Sequence, residues 1–186
     1  MAPAGTVYRV NIALSDVDRG LYETLELRVA QHPSESLRYL VTRLLAYALS
    51  YEEGITFSKG GLSSTDEPPI AIFDLTGQML AHIDIGSPSA ERLHRCAKLC
   101  KRYSVFTTAS TDHFARELKT REVFRAESVP VFFLPLEVVD GIGERMEKAT
   151  AFELVRTDGQ LYVTVAGQSL EARVERGSLI PPAPSD

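Results

Sequence analysis

The sequence predicts one domain of mixed α/β class, and three observations predict it. Period-two segments open and close the chain. A long helical stripe and a shorter amphipathic helix lie between them. Three short strands separate those two helices. With 186 residues, the chain is long enough to bury a core without disulfide staples. Its 44% hydrophobic and 24% charged content is that of a globular protein. The expected architecture is an αβββαβ core with an N-terminal hairpin and a C-terminal β-meander. The domain is expected to span 1–180, followed by a disordered tail over 181–186.

Residues 6–14 alternate well enough for a strand, 15–20 read as a turn, and 21–30 form a returning strand. Leu37, Leu40, Val41, Leu44, Leu45, Ala48 and Leu49 recur at helical spacing. Ser34 is the expected N-cap, Glu35 falls in the expected first turn, and Gly54 is the expected stop. Three strands follow over 55–58, 70–74 and 79–86. Ser87-Pro88 then opens a second helix running to about Arg102. A strand over 103–108, a helix over 111–122, a strand over 129–135 and a short helix from 136 to about 143 come next. Strands over 150–156, 160–165 and 170–174 finish the chain, joined by Asp158-Gly159 and Ala166-Gly167-Gln168.

The composition also excludes. No apolar stretch is long enough to span a bilayer, and the first residues lack the basic flank and apolar run of a secretory signal. A cytoplasmic protein without a membrane partner is expected. A net charge of −5 argues against nonspecific coating of nucleic acid. Cys96 and Cys100 lie four apart in a helical segment, a spacing that suits buried thiols better than a disulfide or a metal site.

The order from residue 34 to 108 is that of the PD-(D/E)XK nuclease superfamily, and acids stand where such a site needs them. Metal-assisted phosphodiester hydrolysis requires hard oxygen ligands around Mg²⁺ or Mn²⁺. Asp66 and Glu67 precede the second core strand, and Asp84 ends the third, 18 residues after Asp66. These three are the candidate metal ligands. Gly86 stands where the superfamily pattern carries its lysine. On a helical wheel Arg92, His94, Arg95, Lys98, Lys101 and Arg102 share one half, opposite Leu93, Cys96, Ala97 and Cys100. Lys98 is the candidate substitute lysine, and Arg92, His94, Arg95 and Arg102 are candidate phosphate contacts. Each feature also has a plainer reading: a solvated acidic turn, a solvated basic helix face, and a dipole-complementing Glu35.

The blocks His32-Pro33-Ser34-Glu35, Arg43-Leu44-Leu45-Ala46, Asp66-Glu67-Pro68, Ile83-Asp84-Ile85-Gly86 and Glu91-Arg92-Leu93-His94, with Pro88, Lys98 and Arg102, resemble the YaeQ family. The resemblance covers essentially the whole chain. It implies a nuclease-like core with an altered active-site pattern, in which Glu35, Asp66, Glu67, Asp84 and Lys98 hold the catalytic positions. The chain departs from the family at Pro69, where some members carry an acid, and at Arg95, where many carry lysine. Arginine keeps the charge but suits phosphate binding better than proton transfer. Two functions are therefore expected as alternatives. One is a nucleic-acid-binding protein with Mg²⁺- or Mn²⁺-dependent phosphodiesterase activity. The other is a non-catalytic regulatory or interaction protein on a degenerate nuclease scaffold, with a protein partner.

Overall fold

Alternation of apolar and polar residues decides the first pairing. Strand β1 (Thr6–Asp16) turns its even-numbered residues Val10, Ile12 and Leu14 inward, and β2 (Leu21–Gln31) returns antiparallel with Leu25 and Val29 on the same face. The computed structural model describes residues 5–58 and 67–180. The expected tail over 181–186 and the candidate ligand Asp66 lie outside the described residues.

Helix α1 (Leu37–Leu49) is buried almost all round, from Leu40 through Ala46 and again at Ala48 and Leu49. A helix apolar on every side must lie between layers, and this one packs against both sheets. The first sheet has the order β10-β9-β8-β1-β2 and the second β11-β7-β6-β5-β4-β3. Strands β3 (Ile55–Phe57), β4 (Ile70–Phe73) and β5 (Met79–Ile85) pair antiparallel, and β5 then pairs parallel with β6 (Arg102–Thr107). Helix α2 (Ala90–Leu99) makes that crossover. The order α1-β3-β4-β5-α2-β6 is thus the expected αβββαβ. The fold is mixed α/β with two mixed sheets.

Helix α3 (Thr111–Thr120) packs beside α2, and β7 (Pro130–Phe133) adds parallel to β6. Helix α4 (Leu136–Gly143) lies on α1. The C-terminal meander β8 (Ala149–Thr157), β9 (Gln160–Val165) and β10 (Gln168–Arg173) does not stand alone. Strand β8 runs parallel to β1 and merges meander and hairpin into one sheet. A further strand, β11 (Glu175–Ser178), closes the second sheet against β7 and was not anticipated.

The second sheet separates two cores. Ile70, Ile72, Ala81, Ile83 and Phe106 face α1 and the first sheet, whereas Leu93, Cys96, Tyr103, Val105 and Phe114 pack on the other side among α2, α3 and β6. Period-two alternation along β5 therefore sends Ala81 and Ile83 one way and His82 and Asp84 the other.

Three helix boundaries differ from expectation. Ser36, not Ser34, caps α1 by accepting the Tyr39 amide at 3.1 Å, which leaves Glu35 before the helix. Ser89, not Ser87, caps α2 by accepting the Arg92 amide at 3.3 Å. Helix α2 stops at Leu99 because Cys100 turns extended, so Lys101 and Arg102 leave its wheel. Gly54 lies beyond the α1 end in a left-handed turn (φ 87°), where a Cβ would meet the Phe73 carbonyl oxygen at 1.9 Å; only glycine fits.

Leu44 is fully buried between the sheets, whereas Leu75 is almost fully exposed. Leu44→Ala is expected to cost about 2–5 kcal/mol, and Leu75→Ala less than about 0.5 kcal/mol, in urea unfolding.

Candidate functional site

Asp84 is almost completely buried, at 1% exposure. It stands near the end of β5 and faces α2. A carboxylate taken out of water needs its lone pairs filled, and here they are. Arg92 Nε donates to both oxygens at 3.1 and 3.0 Å, and Arg92 Nη2 donates to Oδ1 at 2.6 Å. The Tyr103 hydroxyl donates to Oδ2 at 2.8 Å, and His82 Nε2 lies 3.2 Å from Oδ1. Each partner is delivered by local structure. His82 precedes Asp84 by two residues on the same strand face, Tyr103 pairs with His82 in the β5–β6 register, and Arg92 sits in the first turn of α2. Burial pushes the Asp84 carboxyl up, but the hydrogen bonds and charges of His82 and Arg92 outweigh it and hold the group below its ordinary range. Burial and the Asp84 charge together drive the Tyr103 hydroxyl well above its usual range.

A second acid–guanidinium pair lies close by. Glu35 accepts the His32 amide at 3.0 Å and lies 3.1 Å from Arg43, which enters from the buried helix α1. Arg43 also donates to the Ala30 carbonyl at 2.9 Å and covers the Phe57 ring. Burial pushes both partners toward neutrality, raising Glu35 and lowering Arg43, with their mutual attraction opposing it. Tyr39 feels the charges of Arg43, Asp84, Glu35 and Arg92, and burial pushes its hydroxyl up to about 12. Its ring also lies 3.6 Å from where a Cβ on Gly86 would stand. Gly86 has φ 81°, so a lysine at this position would be strained by about 1–2 kcal/mol. That is a physical reason for glycine where the nuclease pattern carries lysine.

The other predicted site residues are dispersed. Glu67 is exposed; its Oε2 accepts from the Ser58 hydroxyl at 2.8 Å, and its backbone carbonyl accepts from Arg92 Nη2 at 3.2 Å. The acidic loop and Asp84 therefore meet at one guanidinium. His94 bonds through Nδ1 to the Glu122 carbonyl at 3.0 Å, a tether to the residues after α3. Arg95 and Lys98 are exposed on α2. Lys98 falls about 200° around the helix from Cys96, which faces Asp84, so the two are not brought together. Arg102 forms a two-bond pair with Glu52, both at 2.8 Å, at the opposite end of the sheet, where it pairs with Ala81. Sequence reasoning passed over His82, Tyr103, Arg43 and Tyr39. The His82–Asp84 spacing of two was the available signal, since it places both on one strand face.

Asp84 as placed does not fit the expected Mg²⁺ or Mn²⁺ role, because Arg92, Tyr103 and His82 occupy the lone pairs a hard cation would take. His82, Asp84 and Cys96 also converge, with ligand atoms within 4.8 Å of one another. Burial pushes the Cys96 thiol up to about 11, and a protonated thiol beside an arginine-bound carboxylate is a poor cage for a soft cation. Both cysteines are free and buried, as expected.

A family model described as YaeQ protein matches residues 1–174. The chain belongs to the YaeQ family. The YaeQ protein of Escherichia coli K12, described as uncharacterised, is 22% identical over 175 residues, covering 94% of this chain and 96% of that one. The crystal structure of YaeQ from Pseudomonas syringae shares 29% identity with a TM-score of 0.80, over 95% of this chain and 96% of that chain. YaeQ from Xanthomonas axonopodis pv. citri shares 27% with a TM-score of 0.81, over 96% and 99%. Among the described residues no helix is long and apolar enough to cross a membrane.

Arg92→Ala removes the main counter-charge of a buried carboxylate and is expected to cost about 3–5 kcal/mol near pH 7. The Asp84 carboxyl lies below its unfolded value, so its contribution is present above about pH 4 and is lost as pH falls through the folded pKa. The stability gap between wild type and Arg92→Ala, read from urea midpoints, is therefore expected to narrow on going from about pH 7 to about pH 3.

Proposed function

We propose that this YaeQ chain is a non-catalytic interaction protein built on a nuclease-type αβββαβ core. The observation that carries the reading is the saturation of Asp84 by Arg92, Tyr103 and His82. A hydrolytic metal site needs at least one carboxylate free to ligate. Here the strand acid is committed to an internal network, and the first-region acid Glu35 is committed to Arg43. The outward position of Lys98 supports the same reading, since among the described residues no amine joins Asp84 in the place of the missing strand lysine. A fold carries function only through its sites, and with Asp84 committed internally the reading is binding rather than hydrolysis.

One observation favours a second reading, the metal-dependent phosphodiesterase. Arg92 spans Asp84 and the Glu67 carbonyl, so the two acidic segments such a site uses are already neighbours. Displacement of one guanidinium would open them to Mg²⁺ or Mn²⁺.

Calorimetric titration with Mn²⁺, together with incubation with labelled single- and double-stranded DNA and RNA, separates the two. The interaction reading predicts no cation binding at about millimolar concentration and no cleavage that Asp84→Asn abolishes. Mn²⁺-dependent cleavage by wild type that disappears in Asp84→Asn would replace it with the second reading.

A further inference from the structure

Two cations expected on the basic half of the second helix end elsewhere, and their destination is a second cavity. Because α2 stops at Leu99, Lys101 and Arg102 are carried to the start of β6. There they border a cavity of about 490 Å³, within the range of small-molecule sites. It opens beside the end of α1, where Ser50 terminates the helix. Its floor is Ile72, Ala81 and Ile83 and its wall is Phe132, whose ring stacks on Phe106 at 4.5 Å. Ala81 and Ile83 face the side of β5 opposite to His82 and Asp84, and Tyr103 is the residue that borders this cavity and also bonds Asp84.

We propose that this cavity binds a compact organic anion with a flat apolar body and a single phosphate or carboxylate. The polar groups around it fall into committed and uncommitted sets. Arg102 is held by Glu52, and Arg19 is held by Asp16 and by the Tyr51 and Ala48 carbonyls. Lys101 is exposed and makes no ion pair or hydrogen bond with a described residue, and the hydroxyls of Ser50 and Ser104 make none either. One free ammonium and two free hydroxyls match one anionic group. The half-buried Phe132 ring matches a planar apolar body. With Arg19 held by Asp16 and Arg102 by Glu52, Lys101 is the cation left over among the described charges of the rim, which favours an anion over a cation.

The test is an amide NMR titration of the full chain with 1-naphthyl phosphate, 1-naphthoate and inorganic phosphate. At least one naphthyl anion should bind, with shifts clustered at Ser50, Ala81, Ser104 and Phe132, and inorganic phosphate should bind about tenfold more weakly or not at all. The two naphthyl arms distinguish a phosphate from a carboxylate headgroup. Lys101→Glu should weaken binding by about tenfold, whereas Lys98→Glu, an equal change of charge on exposed α2, should leave it within about twofold. Both positions are exposed, so the variants should fold alike, and amide spectra check this. Failure of both naphthyl anions at millimolar concentration, shifts clustered away from the cavity, or equal weakening by both variants would overturn the proposal.

Discussion

A carboxylate with almost no exposure must have its lone pairs filled where it stands, and Asp84 receives partners from three different elements at once. Strand β5 supplies His82, strand β6 supplies Tyr103, and helix α2 supplies Arg92. The crossover that makes β5 and β6 parallel is the segment that carries Arg92, so the network staples the β5-α2-β6 unit across its own connection. Replacing any one partner leaves the others facing a charge with reduced compensation. That constraint ties the local chemistry to the topology: the second sheet keeps its α2 face dry around two buried polar residues, His82 and Asp84.

The same arrangement decides what the site can do. Buried acids need cations to hold them. Here guanidinium groups do that work, Arg92 for Asp84 and Arg43 for Glu35, with Tyr39 within electrostatic reach of both pairs. Arginine provides a fixed charge with directional donors and neither exchanges with solution nor activates water. The outcome is a rigid, charge-balanced end of the sheet. Lys98 on α2 and Lys101 at the β6 start stay exposed, away from this network.

Much of the fold was legible because periodicity is a local signal. The opening hairpin, the buried stripe of α1, the three strands and the closing meander follow directly from spacing and turn residues. Boundaries set by competing caps were not. Ser34 and Ser36, and Ser87 and Ser89, offer equivalent hydroxyls, and only the backbone that Glu35 pulls back onto His32 chooses between the first two. The parallel β1–β8 pairing was invisible for a different reason, since it joins segments more than a hundred residues apart. Asp84 was identifiable as an acid ending an apolar strand. Its partners were less so: Tyr103 depends on strand register, and Lys98 was misplaced because a wheel groups charges by angle without saying which face is covered. Arg102 and Lys101 were assigned to a helix that ends before them.

The decisive quantity is the ionisation of one side chain. Carboxyl carbon NMR of the ¹³C-labelled protein, followed from about pH 7 to about pH 2, reads Asp84 directly, with Asp84→Asn supplying the assignment. Neutralisation by Arg92, Tyr103 and His82 predicts a midpoint below the ordinary aspartate range, and a midpoint that rises when Arg92 is replaced by Ala. A midpoint at or above the ordinary range in the wild type, unmoved by loss of Arg92, would mean that the carboxylate is not held by this network.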